Sequence, residues 1–289
     1  MSGFLSIRNL TVRLKSGVTI LRSVSLDVAQ GQVHGLVGES GAGKSMIGKA
    51  VLGTLPRALQ VTGGEIWLDG ENLLALPHDT RRKRIGATAA LIPQDPLTAL
   101  NPSKRIGPQI TRRLVDILAW TRSDAEARAL ELLGEVQIPD PARVMRSYPH
   151  ELSGGMRQRI LIASAFAAEP KLIIADEPTT ALDVTVQKQI LRLIADMQVR
   201  HGTSLLFVTH DLGVVSKVCD TLSVLYAGKV VEEARMHRFF MRPIHPYSRA
   251  LLAATPTYLD PTGSLTPVPE SVISAVEEEV RLHDVRFGT

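Results

Sequence analysis

The chain has 289 residues, and its 44% hydrophobic content is enough to build one large α/β domain with an appendage. No apolar run approaches the roughly 20 residues of a membrane-spanning helix, and residues 1–5 lack the features of a secretion signal, so we expect a protein that remains in the cytosol. The formal charge of +4 is spread among interspersed acidic and basic residues, and the one basic run, Arg81–Arg84, has no aromatic neighbours. We therefore interpret that run as a solvated helix end and expect no nucleic-acid partner.

Strand patterns fill the first part of the chain. Residues 6–14 and 24–28 alternate apolar and polar side chains, and Val33–Val37 is a continuous apolar run, which predicts three strands. Residues 45–55 carry apolar side chains four residues apart, which predicts a helix that ends before Pro56.

The middle of the chain is rich in helical patterns. Asp69-Gly70 first marks a turn that returns the chain to a sheet. From about residue 96 to residue 168 we predict a helical subdomain. Leu172–Ala175 and Ser204–Val208 are short apolar runs typical of strands buried on both faces of a parallel sheet, and residues 187–197 fit the crossover helix between them.

The last part of the chain predicts a hairpin followed by less regular structure. Residues 221–232 are expected to turn at Ala227-Gly228. Proline becomes frequent after Pro243, although Val272, Val276 and Val280 fit one face of a short helix.

A glycine-rich loop joins the third strand to the first helix. Gly38–Ser45 fits the pattern G-x-x-x-x-G-K-[ST], in which glycines let backbone amides turn inward around phosphates at a helix N-terminus. Lys44 is expected to bridge the outer phosphates, and Ser45 is expected to bind Mg²⁺. The predicted ATP-binding residues here are Gly38, Glu39, Ser40, Gly41, Ala42, Gly43, Lys44, Ser45 and Met46.

Two adjacent carboxylates stand at the end of an apolar strand, where they would be costly without a cation or a proton-transfer role. Asp176 is expected to hold Mg²⁺, commonly through water. Glu177 is expected to orient and deprotonate the attacking water.

A second glycine pair predicts a second anion site. Ser153 is a good helix N-cap, and Gly154 and Gly155 expose amides at the start of the helix that follows.

Together, Gly38–Ser45, the run Leu152–Gln158 and Leu172–Glu177 resemble the ATP-binding-cassette (ABC) ATPases over most of the chain. The resemblance implies an α/β fold: a P-loop NTPase core with a mixed, mainly parallel sheet, an N-terminal antiparallel β-subdomain and a helical subdomain. It places the ATPase domain at residues 1–240 and a short extension at residues 241–289.

The resemblance also implies roles for residues that no local pattern assigns. Gln94 is similar to the Q-loop glutamine, which reaches both the metal and the water. His210 is similar to the switch histidine, which hydrogen-bonds the outer phosphate. Residues 153–155 would meet the triphosphate held by a partner subunit, and residues 181–183 match the D-loop that passes between the two sites.

One family feature is absent near Leu14, where relatives usually place an aromatic ring on the adenine. Leu14 or Val18 would offer an apolar contact instead.

The segment from Pro243 to Pro256 resembles the part that follows the cassette in bacterial oligopeptide, dipeptide and nickel importers. The runs Gln94-Asp95-Pro96 and Leu100-Asn101-Pro102 point to the same branch. Many relatives add a cysteine cluster here, but no cysteine follows Cys219, so we expect no iron–sulfur centre. Cys219 itself is interpreted as a small buried hydrophobe.

The resemblance implies an ATP-hydrolysing subunit of a membrane importer for a peptide-like solute, with ATP and Mg²⁺ as cofactors. It would bind the cytoplasmic face of the bacterial inner membrane. The expected partners are integral permease subunits, which would dock between Gln94 and the helical subdomain, a second ABC ATPase subunit, either identical or paralogous, and, through the permease, an extracytoplasmic solute-binding protein.

Two alternatives to peptide import remain open at the sequence level. A nickel or opine importer would differ only in its cargo, which the ATPase never touches. A soluble ABC protein of DNA repair or translation would normally carry a coiled-coil insertion or tandem cassettes, and this sequence has neither.

Overall fold

A computed structural model describes residues 3–180, 182–255 and 267–287. The chain divides into two compact units. The first unit comprises Met1–Leu76 and Leu206–Thr289, and the second comprises Pro77–Leu205. None of the helices in these described ranges combines the length and apolar character that crossing a bilayer requires.

The strands of the described residues are β1 Leu5–Leu14, β2 Thr19–Val28, β3 Val33–Val37, β4 Leu59–Leu68, β5 Glu71–Asn72, β6 Ala89–Ile92, β7 Leu172–Asp176, β8 Ser204–Thr209, β9 Thr221–Tyr226 and β10 Lys229–Arg235. The α-helices are α1 Lys44–Val51, α2 His78–Thr88, α3 Pro96–Ala99, α4 Ile106–Asp116, α5 Arg122–Glu135, α6 Pro141–Arg146, α7 Gly154–Phe166, α8 Val184–His201, α9 Leu212–Val218, α10 Met236–Met241, α11 Pro246–Ala253 and α12 Glu270–Phe287.

The first unit contains an antiparallel sheet of order β2-β1-β4-β5. Leu5 of β1 lies opposite Val28 on one side and Leu68 on the other, and all three side chains are buried. In the same unit β9 runs parallel to β3 and antiparallel to β10. The N-terminal antiparallel sheet and the mixed pairing agree with the fold class expected from the sequence.

Both predicted turns of the first unit are present. Asp69 and Gly70 have φ values of 52° and 78°, and Ala227 and Gly228 have φ values of 43° and 79°. Two successive residues with positive φ match the twist of an antiparallel hairpin, which is why a glycine at the second position is such a reliable signal.

The prediction for the first helix was wrong at its C-terminus. The helix ends at Val51 rather than continuing to residue 55. Gly53 adopts a φ of 66°, and the Thr54 amide bonds the Lys49 carbonyl at 2.8 Å. A left-handed glycine just after the last turn caps the helix and stops it before the proline does.

The second unit pairs β6 with β7 in parallel, with Ala89 opposite Leu172 and Ile92 opposite Ala175. The predicted crossover helix is present as α8, which is longer than expected. It begins where Asp183 caps it and ends at Gly202, which has a φ of 59°. The basic run Arg81–Arg84 lies within α2 rather than at a helix end, so that detail of the prediction was wrong.

The C-terminal residues of the first unit pack through polar contacts. Val272, Val276 and Val280 lie on α12 as predicted, the first half-buried and the other two buried, and the helix is 18 residues long rather than short. Its Asp284 accepts a 2.7 Å bond from Arg22 of β2. Pro256, the last residue of the segment that resembles the importers, lies outside the described residues.

Cys219 is buried, and burial raises the pKa of its thiol.

Candidate functional site

The glycine loop of the first unit has a backbone that only glycine can adopt at its ends. Gly38 has a φ of 154°, and a Cβ at that position would lie 2.1 Å from the Leu225 carbonyl oxygen. Gly43 has a φ of 100° and is the N-cap residue of α1. Because β3 is entirely buried and α1 starts at Lys44, the loop is fixed at both ends and lies at the N-terminus of α1.

Lys44 is buried with 5% of its surface exposed. Its Nζ donates to the carbonyl oxygens of Gly38 and Glu39, each at 2.8 Å. The ammonium group is therefore held over the loop whose amides are expected to bind phosphate, and it brings the positive charge that the sequence predicted at this place.

The hairpin turn between β9 and β10 hydrogen-bonds the glycine loop. The sequence did not predict this contact. The Gly228 amide donates to the Ala42 carbonyl at 2.8 Å, and the Gly228 carbonyl accepts from the Arg22 amide at 2.8 Å. A Cβ on Gly228 would lie 2.0 Å from the Ile20 carbonyl oxygen. The glycine is required by this close backbone approach as well as by the turn.

Two of the predicted catalytic residues meet in the second unit. Glu177 follows the last residue of β7 and has a φ of 45°, a strained value for a non-glycine residue. The Gln94 Nε2 atom donates to the Glu177 carboxylate at 3.2 Å. Thr180 donates its hydroxyl to the same carboxylate oxygen at 2.9 Å. The sequence analysis missed Thr180, because its contact with Glu177 depends on the turn between them.

The residues predicted to form a second anion site lie at the start of α7. Ser153 is the N-cap residue, and its Oγ accepts from the Met156 amide at 3.3 Å. A Cβ on Gly154 would meet no atom within 4 Å, so the amide end of the helix is open. The buried Gln158 of α7 donates to the Pro178 carbonyl at 2.7 Å. This bond joins α7 to the turn that carries Glu177, and the sequence analysis did not predict it.

His210 follows β8 and is exposed, which leaves the imidazole accessible. The next residue, Asp211, accepts from the Gly213 amide at 2.8 Å and caps α9. In the second unit Asp183 caps α8 in the same way, and Ala181 of the predicted D-loop lies outside the described residues. Side-chain caps therefore fix the backbone beside His210 and at the end of the D-loop.

The position expected for adenine contact lies at a tight turn between two apolar residues. The Leu14 amide donates to the Val18 carbonyl at 2.8 Å, and Val18 is 56% exposed. The side chain of Val18 is therefore available for the apolar contact that the sequence predicted.

A comparison with known families shows to which family the chain belongs. The family described as ABC transporter matches residues 21–180, which is more than half of the chain. The chain belongs to the ABC transporter family. It is the ATP-hydrolysing subunit of such a transporter, and the resemblance stated from the sequence is confirmed.

Close relatives cover most of this ABC transporter subunit. It is 44% identical over 278 residues to a probable peptide ABC transporter ATP-binding protein of Sinorhizobium fredii, covering 95% of this chain and 83% of the relative. It is 46% identical over 257 residues to the oligopeptide transport ATP-binding protein OppD of Lactococcus lactis, covering 89% of this chain and 76% of the relative.

Solved structures show the same fold. A dimeric ATP-binding cassette in a post-hydrolysis state, bound to ADP and Pi, matches with a TM-score of 0.71 and 26% identity, covering 80% of this chain and 98% of that one. The cbiO1 protein of Clostridium perfringens matches with a TM-score of 0.73, covering 84% of this chain and 92% of that one. At 24% identity the second likeness shows the fold alone. The predicted fold class is therefore confirmed, whereas the roles of the individual site residues stay predictions.

Proposed function

We propose that this ABC transporter subunit drives the uptake of peptides. The observation that carries the proposal is the identity of 42% or more with peptide, oligopeptide and dipeptide transport ATP-binding proteins over most of the chain. In this proposal the subunit converts nucleotide chemistry into motion of a permease. We place the ATPase domain at residues 1–240 and an importer-type extension at residues 241–289.

ATP is held by the glycine loop of the first unit. Backbone amides of residues 38–46 receive the phosphates, and Lys44 exchanges its bonds to the loop carbonyls for bonds to phosphate oxygens. The open amide end at Ser153, Gly154 and Gly155 receives the terminal phosphate bound to a second cassette, either a copy or a paralogue. The dimeric form of the matched cassette supports this arrangement.

Mg²⁺ fits the chemistry of three proposed ligands: the hydroxyl of Ser45, the amide oxygen of Gln94 and the carboxylate of Asp176. Hard oxygen ligands of this kind suit Mg²⁺, which usually keeps several waters. When bound, the ion neutralises charge on the outer phosphates.

Glu177 is the proposed base. Its carboxylate accepts hydrogen bonds from Gln94 and Thr180, and these two donors fix its direction before substrate arrives. A fixed carboxylate can orient one water and accept its proton as the water attacks phosphorus. The exposed His210 is proposed to donate a hydrogen bond to the terminal phosphate and so hold that geometry.

The permease is proposed to dock in a groove of the second unit, which we call the helical groove. It has a volume of about 970 Å³ and lies among α4, α5 and α6. Its lining includes five basic residues, Lys104, Arg105, Arg112, Arg122 and Arg146, and two acidic ones, Asp116 and Glu126. The excess of positive charge fits a cytoplasmic helix of the permease that carries acidic side chains. This docking would keep the subunit at the cytoplasmic face of the membrane, and a solute-binding protein would act on it through the permease.

The proposal predicts that the groove charge controls docking. Replacing Lys104 and Arg122 by glutamate should weaken binding to permease-containing proteoliposomes about tenfold or more, because two attractive contacts become repulsive. Flotation of the proteoliposomes measures the binding. An Arg192→Glu variant, at an exposed position of α8, is the matched control and should bind as wild type does. Equal binding by all three proteins, or binding to liposomes without permease, would refute docking at this groove.

The same proteoliposomes test which kind of solute is transported. Adding the cognate solute-binding protein loaded with a peptide should raise ATP turnover, and the unloaded binding protein should raise it less. If nickel or an opine raises turnover and no peptide does, the peptide assignment is wrong.

A further inference from the structure

One side chain of the groove helix α4, that of Arg113, hydrogen-bonds a neighbouring part of the second unit. Arg112 and Asp116 line the helical groove and pair with each other at 3.1 Å. Arg113 is absent from that lining and makes its contacts elsewhere. Its Nε and Nη2 donate to the Gly86 carbonyl at 2.9 and 2.7 Å, and Nη2 also donates to the Ala89 carbonyl at 2.9 Å.

These two carbonyls belong to the junction between α2 and β6. Gly86 lies in the last turn of α2, where carbonyl groups lack partners within the helix and carry the negative end of its dipole. A guanidinium group with its donors in a fixed fork satisfies both oxygens at once. Ile117, just after α4, packs on the same spot, because a Cβ on Gly86 would lie 3.3 Å from its side chain. The end of α4 is therefore fastened to this junction by polar and apolar contacts.

The junction leads directly to the proposed base. Ala89 is the first residue of β6, a strand of four residues that pairs in parallel with β7. Gln94 follows two residues after the strand ends and bonds Glu177, which itself follows β7. The backbone of residues 89–94 therefore joins two hydrogen bonds, the one from Arg113 to the Ala89 carbonyl and the one from Gln94 to Glu177.

We propose that Arg113 is a positioning residue that transmits permease docking from the helical groove to the Gln94–Glu177 pair. This inference rests on the proposed docking function of the groove. When the docked helix displaces α4, the guanidinium moves the Ala89 carbonyl with it, and the short strand carries the displacement to Gln94. Arg113 contacts neither nucleotide nor permease in this scheme.

A purely structural role for Arg113 makes a different prediction. A residue that only stabilised the unit would lower the melting temperature and reduce basal and stimulated ATP turnover by the same factor. A coupling residue changes the ratio of stimulated to basal turnover, since that ratio reports how well docking reaches the base.

The experiment compares wild type, Arg113→Met and Arg113→Lys in the proteoliposome assay with permease. Methionine keeps an apolar stem and removes every donor, and lysine keeps the charge but loses the fork. Arg82→Met, an exposed arginine of α2, is the matched control. Permease binding, KM for ATP and the ratio of stimulated to basal turnover are measured for each protein, together with the melting temperature.

We expect the ratio to fall about fivefold or more in Arg113→Met and less in Arg113→Lys, with permease binding and KM for ATP within about twofold of wild type. A wild-type ratio in Arg113→Met overturns the inference. If Arg113→Met does not fold, a wild-type ratio in Arg113→Lys overturns it. A ratio that falls only together with permease binding also overturns it, because docking itself would then be lost. Failure of wild type to bind the permease would instead refute the docking proposal, and the inference with it.

Discussion

Gly38 and Gly228 show how single residues set the position of the nucleotide loop. A Cβ on either would lie about 2 Å from a backbone oxygen, of Leu225 and Ile20 respectively. No side-chain rotation relieves a clash with backbone. The loop is therefore held by backbone contacts on two sides, and the amides expected to bind phosphate need no reorganisation when ATP arrives.

His34, on the strand that leads to this loop, should make stability depend on pH. It is fully buried, and its ring nitrogens contact the hydroxyls of Thr221 and Ser223 at 2.8 and 2.9 Å. Burial lowers the pKa of His34 from 6.5 to about 4, and the Asp27 carboxylate opposes that shift. The unfolded chain thus binds more protons than the folded chain between pH 6.5 and pH 4, so the free energy of unfolding falls as the pH drops through this window.

Urea denaturation at pH 7 and pH 5 measures this effect. Wild type should lose about 2 kcal/mol more than a His34→Gln variant over that interval, because glutamine can bond both hydroxyls but does not titrate. Equal losses in the two proteins would show that His34 does not titrate as its burial implies.

Residues that act through their own neighbours could be predicted from sequence, and residues that act across the fold could not. Ser153 caps the helix that begins beside it, and Lys44 belongs to a contiguous motif. Gln158 acts by bonding the Pro178 carbonyl, which comes close only after the chain has folded. Nothing in the local pattern around Gln158 specifies that partner. Thr180 bonds the nearby Glu177, but this contact depends on a turn in which Glu177 has a φ of 45°.

At the scale of elements, hydrophobic patterns predicted which segments form strands. They did not predict where the helices end, because local capping residues determine the ends. The first helix stops at Val51 because of Gly53, which the apolar period alone did not reveal. The positions of the C-terminal helices were harder to predict, because polar contacts attach these helices to the rest of the first unit. Glu232 of β10 accepts from the amides of Ile244 and His245, each at 2.8 Å, just before α11 begins.

Removing the Glu232 carboxylate should loosen this attachment. Glu232→Ala leaves two amides without their charged acceptor and should lower the free energy of unfolding by about 2 kcal/mol. Urea denaturation measures the loss, and hydrogen exchange should be faster at the amides of Ile244 and His245. Glu126→Ala, which removes an exposed carboxylate of α5, is the control and should change stability little. A Glu232 variant as stable as that control would contradict the attachment.

At the scale of the whole molecule, composition predicted a large α/β domain, and the resemblance of the motifs predicted an ATPase of the ABC family. The family prediction succeeded because the residues that carry the family's chemistry lie in short sequence motifs with characteristic spacing. The domain limits at residues 240 and 241 and the identity of the second cassette stay predictions. A complete set of motifs on one chain fits a homodimer and a heterodimer equally well, so sequence alone does not choose between them.

Lys44 is proposed to bind the phosphates of ATP, and Glu177 is proposed to accept a proton from the water that attacks the terminal phosphate. Following radiolabelled ATP in the permease complex tests both parts, by measuring how much nucleotide is bound and how much of it is hydrolysed. Glu177→Gln should bind ATP as wild type does and turn it over about a hundredfold more slowly or worse, and Lys44→Ala should bind about tenfold less ATP or worse. Wild-type hydrolysis by Glu177→Gln, or wild-type binding by Lys44→Ala, would contradict the account.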